Sequence, residues 1–339
     1  MNGCQPRTVL VTGGAGFIGS YFVRIWLATQ PNIRIVTLDR LTYSGSLDRL
    51  RQLPNPHRHT FIHGDICNQR LVESILREHE VNCIVHFAAE IHVDRSISGP
   101  ALFVQTNIVG TFTLLEAARQ YWLNEKKWNA NQCRFHQVST DEVYGSLRHE
   151  DPPFTESSSY HPNSPYAASK ASGDHLAWSY FHTYGLPVSF SNCSNNYGPA
   201  QQPEAFIPTV IRSCLHQRPI PIYGDGSNRR DWLFVEDHCH GITQVILKGR
   251  PGGKYNFGGG SDRINLEVVQ LICDLLDRWR PQATSYASLM TFVKDRPGHD
   301  WRYAVDDRKA RLEFGWKPVM DFQTGMEKTV GWYLQGFFA

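Results

Sequence analysis

The sequence predicts an α/β fold: a doubly wound parallel sheet with helices on both faces, joined to a smaller C-terminal domain. Two observations support this prediction. Through the first half of the chain, short β-rich runs alternate with helical patterns, which is typical of βαβ units and therefore of a parallel sheet between helices. A glycine-rich loop, "VTGGAGFIGS", follows the first run and opens the first helical pattern, as in Rossmann-type nucleotide-binding domains.

The elements of the first half can be assigned in order. The β-rich runs, each a candidate strand, are residues 8–14, 33–39, 59–65, 82–90 and 133–140. The helical patterns between them are residues 17–30, 68–79 and about 100–122. Several predicted strands end in polar residues, namely Asp39, Asp65, Glu90 and Thr140. Because ligands collect at the carboxyl ends of parallel strands, this edge of the sheet is the predicted binding edge.

The second half is less regular, and turn-rich pieces interrupt its short helices. We expect residues 1–194 to form the nucleotide-binding domain, with a later segment of about 229–257 returning to it. Residues 195–339 are then expected to form mainly a second, interleaved domain for the substrate. No internal repeat or low-complexity linker separates the two halves, so we expect them to be closely joined.

Composition and charge argue against several classes of protein. The net charge of +2 and the lack of a basic run argue against a nucleic-acid partner. The eight cysteines are scattered without a C-x-x-C pair, the N-terminus lacks the apolar segment of a secretory signal, and no apolar run reaches membrane-spanning length. We therefore expect a reduced cytoplasmic protein with no membrane partner. "HCH" at 238–240 is predicted to open a helix after Asp237, so no metal is expected.

The glycine loop predicts a dinucleotide site. Gly13 allows the tight turn, Gly16 lets a pyrophosphate approach the backbone N–H groups and the helix N-terminus, and Gly19 permits close packing of the helix on the sheet. At the end of the next predicted strand, Asp39 can accept hydrogen bonds from ribose hydroxyls and would repel a 2′-phosphate. NAD is therefore expected in preference to NADP, and Arg40 weakens that preference slightly.

Two further stretches carry chemistry. Tyr166 and Lys170 lie four residues apart on a predicted helix, so their side chains share one face. A lysine ammonium near a phenol stabilises the phenolate and lowers its pKa, which allows tyrosine to act as a base toward a hydroxyl. Asp141 and Glu142 stand together directly after a predicted strand. Neighbouring carboxylates push their pKa values apart, which gives one protonated and one ionised group at the same pH.

These motifs, taken together, resemble a known family. The chain is similar to the extended short-chain dehydrogenase/reductases and, among them, to the dTDP-glucose 4,6-dehydratases. The resemblance covers nearly the whole chain. The motifs that carry it are "VTGGAGFIGS", "LDRLTYSGSL", "GDIC", "HFAAEIHVDRSI", "VSTDEVYG", "SPYAASKASGDH", "NCSNNYGP", "PIYGDGSNRRDWLFVEDH", "YNFGGG", "DRPGHDWRY" and "KTVGWYL".

The resemblance implies a reaction in which a nucleotide-linked glucose loses water. Tyr166, helped by Lys170 and Thr140, is expected to remove the proton from the sugar C4 hydroxyl while hydride passes to NAD⁺. Glu142 is then expected to take the C5 proton as general base, and Asp141 to protonate the departing C6 hydroxyl as general acid. Return of the hydride to C6 would leave a 4-keto-6-deoxy sugar and regenerated NAD⁺.

The resemblance also implies which residues bind the ligands. Cofactor contacts are expected from Gly13, Gly16, Phe17, Ile18, Gly19, Asp39, Asp65, Ile66, Ala88, Ala89, Thr106, Tyr166 and Lys170. Contacts with the nucleotide-sugar are expected from His92, Thr140, Asn195, Glu204, Arg230, Asn256, Arg296, His299 and Tyr303. A homodimer is expected as well, through a four-helix interface to which each subunit gives two helices, including the one that carries Tyr166.

One segment departs from the family pattern. After "NNYGP" the family typically has Tyr-His-Phe-Pro-Glu-Lys, whereas this chain has "AQQPEA" at Ala200 to Ala205. An aromatic residue and a lysine are thus missing from a loop expected to border the substrate. The identity of the sugar nucleotide therefore stays open, and a UDP-linked hexose is compatible with the loop as well as a dTDP-linked one.

Other functions on the same scaffold remain alternatives. The 4-epimerases resemble this sequence but lack the acid pair, and the decarboxylases have Ser where Asp141 stands here. A catalytically idle NAD-binding protein is the third alternative, and it would be favoured if the acids or Tyr166 faced away from the cofactor site. Asp141 is accordingly the residue that best separates these readings.

Overall fold

The computed structural model describes residues 3–336. Its strands are β1 (Thr8–Thr12), β2 (Arg34–Asp39), β3 (His59–His63), β4 (Cys83–His86), β5 (Arg134–Thr140), β6 (Val188–Cys193), β7 (Asn195–Tyr197), β8 (Ile220–Tyr223), β9 (Arg229–Phe234), β10 (Lys254–Phe257), β11 (Asp262–Ile264) and β12 (Met290–Val293). Its α-helices are α1 (Phe17–Thr29), α2 (Gln69–Glu78), α3 (Val93–Ser98), α4 (Pro100–Phe103), α5 (Thr111–Ala118), α6 (Pro165–Tyr184), α7 (Phe206–Leu215), α8 (Val235–Lys248), α9 (Asn265–Trp279), α10 (Arg308–Phe314) and α11 (Phe322–Leu334).

The main feature is a seven-stranded parallel sheet in the order β3-β2-β1-β4-β5-β6-β10. All five residues of β1, "TVLVT", are buried. Parallel strands are covered on both faces by helices, which explains why such a run is apolar throughout and does not alternate. The strand order changes direction between β1 and β4, and a crevice opens there at the carboxyl ends. The Rossmann-type α/β fold predicted from the sequence is thus confirmed.

A hydrophobic core lies on each face of this sheet. On one face, side chains of α2, α5 and α6 pack over residues that include Leu10 and Val36. On the other face, α1 and α8 pack over residues that include Val9 and Ile35. Successive side chains of a strand point to opposite faces, so each strand contributes to both cores. The sheet is therefore a rigid support for the residues at its carboxyl edge.

The smaller region is built mainly from later parts of the chain. β7, β9 and β11 form one small sheet and β8 pairs with β12. Helices α7, α9 and α11 enclose its core, in which Ile211, Ile272 and Met326 are buried. Of the segment expected to return to the main sheet, β10 pairs with β6 there, whereas β9 lies in the three-stranded sheet. The two regions are consequently interleaved along the sequence.

The predicted elements differ from the structure mainly at their ends. The strand predicted over 82–90 ends at His86, because the following residues leave the sheet and line the crevice. The helix predicted after Asp237 begins earlier, at Val235, and His238 is buried within it with Nδ1 2.9 Å from Asn196 Oδ1. Within residues 3–336, no group of His, Cys, Asp or Glu is arranged to hold a metal ion.

One continuous helical stretch, Pro100–Glu125, comprises α4, α5 and two π-helical turns. By length and composition it is apolar enough to cross a membrane, so the expectation that no apolar run reaches that length is wrong. Half of its apolar window is buried inside the fold, where it packs against α2 and α6. Leu102, Val104, Val109 and Phe112 remain exposed on it.

Candidate active site

A cavity of about 710 Å³ opens at the carboxyl edge of the main sheet and extends to the smaller region. Its wall contains all the residues predicted to contact the cofactor, which are Gly13, Gly16, Phe17, Ile18, Gly19, Asp39, Asp65, Ile66, Ala88, Ala89, Thr106, Tyr166 and Lys170. It also contains predicted catalytic and substrate residues, namely Thr140, Asp141, Glu142, His92, Asn195, Glu204, Arg230, Arg296 and His299. The fold therefore brings most of the predicted site to one place.

The glycine loop is packed too closely for side chains. Gly13 has a φ of +70°, and a Cβ there would lie 2.6 Å from the backbone nitrogen of Ala88. A Cβ on Gly19 would lie 2.4 Å from the carbonyl oxygen of Gly13. The loop can thus turn sharply against the chain that follows β4, and α1 can begin directly beneath it. These are the two conditions for a phosphate cradle at a helix N-terminus.

The end of β2 offers hydrogen-bond acceptors beside this loop. Asp39 accepts from the Ala15 backbone N–H at 2.9 Å and from that of Leu41 at 2.8 Å, and each carboxylate oxygen keeps a further lone pair for a ribose hydroxyl. Arg40 is paired with Asp65 at 3.1 Å. Across the cavity, Thr106 Oγ1 is buried without a hydrogen-bond partner within residues 3–336. The hydrogen-bond acceptors of Asp39, the glycine loop and the unsatisfied hydroxyl of Thr106 together suit a bound dinucleotide.

Tyr166 and Lys170 project from the first turns of α6. The helix is capped by Ser164, whose Oγ accepts from the Ala167 N–H at 3.1 Å. Lys170 Nζ donates to the Val138 carbonyl at 2.8 Å, and burial lowers its pKa. Burial, with help from the charge of Glu142, raises the pKa of Tyr166 well above its usual value. In the protein alone, burial therefore outweighs any lowering of the Tyr166 pKa by Lys170.

The acid pair stands on a 3₁₀ turn, Asp141–Tyr144, that directly follows β5. Thr140 fixes its start, because its hydroxyl accepts from the Glu142 N–H at 3.3 Å and lies 3.3 Å from Asp141 Oδ1. Asp141 is only 2% exposed, and burial together with the charge of Glu142 raises its pKa well above its usual value. Glu142 is partly exposed to the cavity, and desolvation raises its pKa to about 7, opposed by Arg296 and Arg230.

This arrangement gives the two carboxyl groups different protonation states near neutral pH. Asp141 is held as the neutral acid, and Glu142 loses its proton close to pH 7. A neutral acid and an ionised base side by side can donate one proton and accept another in a single reaction. Oδ2 of Asp141 is buried with no hydrogen-bond partner within residues 3–336, which leaves it available to a ligand.

Two arginines, Arg230 and Arg296, line the part of the cavity that the smaller region forms. Arg230, on β9, is 5% exposed and donates to the backbone carbonyls of Asp300 at 2.9 Å and Arg229 at 2.7 Å. Arg296 is less constrained, because its Nη1 is 3.6 Å from Asp94 and its Nε is buried with no hydrogen-bond partner within residues 3–336. A guanidinium with donors to spare is well suited to bind a phosphate. Arg296 is therefore the better placed of the two for a diphosphate.

Two predicted substrate residues do not line the cavity. Asn256 is fully buried, where it accepts from the Tyr144 hydroxyl at 2.9 Å and donates to the Phe154 carbonyl at 3.0 Å. The ring of Tyr303 lies 4.4 Å from the Arg230 guanidinium, and its hydroxyl donates to Asp300. Both residues thus lie behind the cavity wall, Asn256 against Tyr144 and Tyr303 against Arg230.

The loop that departs from the family pattern borders the cavity. Ala200 has a φ of +62°, and its carbonyl accepts from Arg49 Nε at 2.9 Å. Glu204 accepts from Arg95 Nη2 at 3.0 Å, and Arg95 in turn lies 4.0 Å from the ring centroid of Tyr43. The loop is thus held by groups from the main domain, and the Ala205 side chain stands in the wall where the family has a lysine.

Sequence reasoning missed several residues of the wall. Asn265, the first residue of α9, lines the cavity with a buried Oδ1 that has no hydrogen-bond partner in the described part of the chain. Tyr43 and Cys193 line it as well. The pairing of β11 with β9, beyond which the Asn265 N–H donates to the Asn228 carbonyl at 2.8 Å, is the feature that could have indicated it, but this pairing is not visible in the sequence.

The fold and the cavity define a dinucleotide-binding α/β protein with an acid–base centre beside a tyrosine–lysine pair. A family model described as GDP-mannose 4,6 dehydratase matches residues 10–329, and the chain belongs to that family. It is 51% identical over 335 residues to the dTDP-glucose 4,6-dehydratase of Salmonella typhimurium, a match that covers 96% of this chain and 92% of the relative.

Solved structures give the same picture. The dTDP-glucose 4,6-dehydratase of Streptomyces venezuelae, solved with NAD bound, superposes with a TM-score of 0.89 at 44% identity and covers 97% of each chain. The UDP-glucose 4-epimerase of Thermotoga maritima superposes with a TM-score of 0.85 at 26% identity, covering 98% of this chain and 100% of its own. The scaffold is thus shared by dehydratases and epimerases.

Proposed function

We propose that this chain is an NAD-dependent hydro-lyase that converts dTDP-glucose to its 4-keto-6-deoxy derivative. The observation that carries the proposal is the Asp141–Glu142 pair, which lines the same cavity as Tyr166 and has the unequal protonation that loss of water requires. The activity of the relatives, dTDP-glucose 4,6-dehydratase, supports it at 51% and 53% sequence identity over 96% of the chain.

Each protein group has a role that follows from its surroundings. Tyr166, with Lys170 and Thr140, takes the proton of the C4 hydroxyl. Once C4 is a ketone, the C5 proton is acidic enough for Glu142 to remove, and Asp141 gives its proton to the departing C6 hydroxyl, so that water leaves. Glu142 then returns its proton to C5 as the 4-keto-6-deoxy product forms. NAD, held by the glycine loop, Asp39 and Thr106, supplies the two-electron acceptor and donor. Because burial keeps Tyr166 protonated in the protein alone, its proton must leave only after the ligands have bound.

A second candidate function has the same reaction with a different sugar nucleotide as substrate. Ala205 removes one positive charge from the wall, which leaves Arg230 and Arg296 as the arginines near the expected diphosphate. A UDP-linked glucose remains compatible with such a wall. The epimerase alternative is weaker, because inversion at C4 needs no acid–base pair next to Tyr166.

The function is tested by a substrate panel. We expect the protein with NAD to remove water from dTDP-glucose, with product mass lower by one water, and to do so at least about tenfold faster than from UDP-, GDP- or CDP-glucose, which corresponds to about 1.4 kcal/mol of discrimination. A faster reaction with UDP-glucose would make the second candidate correct. Unchanged mass with an inverted sugar would establish an epimerase and contradict the proposal.

We also propose a homodimer in the reduced cytoplasm. All eight cysteines are free, as expected in a reducing compartment. Helices Pro100–Glu125 and α6 lie side by side, and the first leaves Leu102, Val109 and Phe112 exposed. A second copy of the same two helices would cover this apolar surface in a four-helix arrangement, which also accounts for the apolar length of Pro100–Glu125 without a membrane.

Phe112→Glu is expected to break this dimer, because a charge at the centre of an apolar helix interface loses its hydration without gaining a partner. Gel filtration with light scattering should then give the 38.7 kDa monomer where the unaltered protein gives twice that mass. Phe292→Glu is the matched control, since Phe292 is 59% exposed on β12, away from these helices, and should leave the dimer intact. A dimer that persists in Phe112→Glu would place the interface elsewhere.

A further inference from the structure

A buried carboxylate lies behind the proposed active site and has no part in the steps given above. Asp174 is 3% exposed on α6, one helical turn after Lys170, and does not line the cavity. Its Oδ2 accepts hydrogen bonds from the Ser139 hydroxyl at 2.5 Å and the Tyr160 hydroxyl at 2.9 Å, and its Oδ1 accepts from Gln137 Nε2 at 3.2 Å. Three donors, two on β5 and one in the segment before α6, are thus directed at one carboxyl group.

This set of partners favours the ionised form of Asp174. An ionised carboxylate is an acceptor only, and hydrogen bonds to the charged form stabilise it against burial. A buried carboxylate also needs a counter-charge, because desolvating a single charge costs several kcal/mol. Lys170 is the nearest candidate, because residues four apart on a helix share a face: burial raises the pKa of Asp174, and the charge of Lys170 is the strongest influence that opposes this.

The buried ammonium of Lys170 likewise needs a counter-charge. Lys170 is 6% exposed, and its ammonium donates to the Val138 carbonyl at 2.8 Å, which carries no charge. Burial lowers the pKa of Lys170, and the charge of Asp174 is the strongest influence that opposes this. Without it, Lys170 would lose its proton more readily, and the site would lose its positive charge next to Tyr166.

Other titratable groups surround this pair. They are Tyr166 on α6, His86 on β4, Cys193 on β6, Lys254 on β10, and Tyr144 and Tyr160 in the segment before α6. Burial lowers the pKa of His86 to about 3 and raises the pKa of Cys193 and of the three tyrosines, so these five groups stay uncharged near neutral pH. Lys254 is cationic, and thus cannot replace Asp174 as the counter-ion of Lys170.

We infer that Asp174 is a positioning residue for the proposed reaction: it holds Lys170 as an ammonium, on the face of α6 that presents Tyr166 to the substrate. This inference rests on the proposed function for its catalytic meaning, but not for its structural content. Gln137, Ser139 and Tyr160 form the hydrogen-bond network that holds the Asp174 carboxylate in place. The carboxylate in turn keeps Lys170, one helical turn away, positively charged.

Asp174→Asn tests the inference, because it removes the charge and keeps the shape. The new amide N–H has an acceptor nearby, since Gln137 Oε1 is buried with no hydrogen-bond partner within residues 3–336 and its amide can turn. We expect the alkaline limb of the rate–pH profile with dTDP-glucose to move down by at least about one pH unit, with the rate at pH 6.5 within about threefold of the unaltered protein. A rate lowered equally at all pH values would overturn the inference.

Tyr160→Phe is the matched control. It removes one of the hydrogen bonds to Asp174 but leaves the carboxylate charge, so the alkaline limb should stay within about 0.3 pH unit of its original position. A shift as large as that of Asp174→Asn would mean that packing of the network, and not the charge, is responsible, and the inference would be wrong.

A measurement without turnover separates this inference from the proposed function. The ¹³Cε signal of Lys170, assigned with Lys170→Arg in protein labelled with ¹³C-lysine, reports the protonation of the ammonium directly. We expect Lys170 to titrate at lower pH in Asp174→Asn than in the unaltered protein. A Lys170 that is already uncharged at neutral pH in the unaltered protein would refute the inference even if the variant does not fold. Failure of the unaltered protein to dehydrate any sugar nucleotide would instead refute the proposed function.

Discussion

Asp141→Asn is expected to reduce the formation of the dehydrated product about 10³-fold while slowing oxidation at C4 by less than about tenfold. The neutral carboxylic acid at this position is the group that can give a proton to the departing C6 hydroxyl, and an amide cannot replace it. The amide keeps the shape of the side chain and an oxygen to accept from Thr140, so the 3₁₀ turn that carries Glu142 should keep its geometry.

The measurement is a single turnover with dTDP-glucose, followed by the absorbance of the reduced cofactor at about 340 nm and by the mass of the sugar. In the variant, the reduced cofactor should accumulate, because the step that consumes it follows the loss of water. Asp225→Asn is the control for the loss of a carboxylate charge, since Asp225 is exposed in a turn and its side chain does not line the cavity, so both steps should be unchanged.

A parallel fall in cofactor reduction and in product formation would contradict the assignment of Asp141 as the acid. It would mean that Asp141 is needed to place the sugar or to support Tyr166. The distinction is clear because Asp141 and Tyr166 interact electrostatically across the cavity, so a purely structural role would affect the first step as well as the second.

Much of this site could be predicted because its geometry is local. The glycine loop, Asp39 and the acid pair each stand within a few residues of a strand end, and the parallel sheet brings all strand ends to one edge. Tyr166 and Lys170 could be placed on one face because helix periodicity alone determines it. The cavity therefore contains every cofactor residue that the sequence indicated.

What could not be predicted depends on contacts between distant segments. Asn256 lies within β10 and Asn265 directly follows β11, and only the pairing of β11 with β9 and the burial of Asn256 against Tyr144 decide that Asn265 reaches the cavity. The pKa of Tyr166 is a second case. Proximity to Lys170 indicated a lowered value, but burial and the charge of Glu142 outweigh it in the protein alone.

Glu142→Gln is expected to slow dehydration about 10³-fold, because the C5 proton then has no base to accept it. The same change should stabilise the protein at alkaline pH. Burial raises the pKa of Glu142 from its ordinary 4.5 to about 7, so folding favours the protonated carboxyl. The contribution of the Glu142 carboxyl to the free energy of unfolding is fully present below about pH 4.5 and is lost as the pH rises through about 7. A glutamine at this position does not titrate, so its contribution does not change with pH.

At pH 8 this difference is worth about 2 kcal/mol after allowance for solvent in the cavity, or about 3 °C in Tm. Thermal unfolding at pH 5, 6, 7 and 8 should therefore show a Tm difference between Glu142→Gln and the unaltered protein that is near zero at pH 5 and grows with pH. A difference that is independent of pH would mean that Glu142 is already ionised throughout this range. Its carboxylate would then be available as a base throughout this range without any ligand, because the fold would not have raised its pKa.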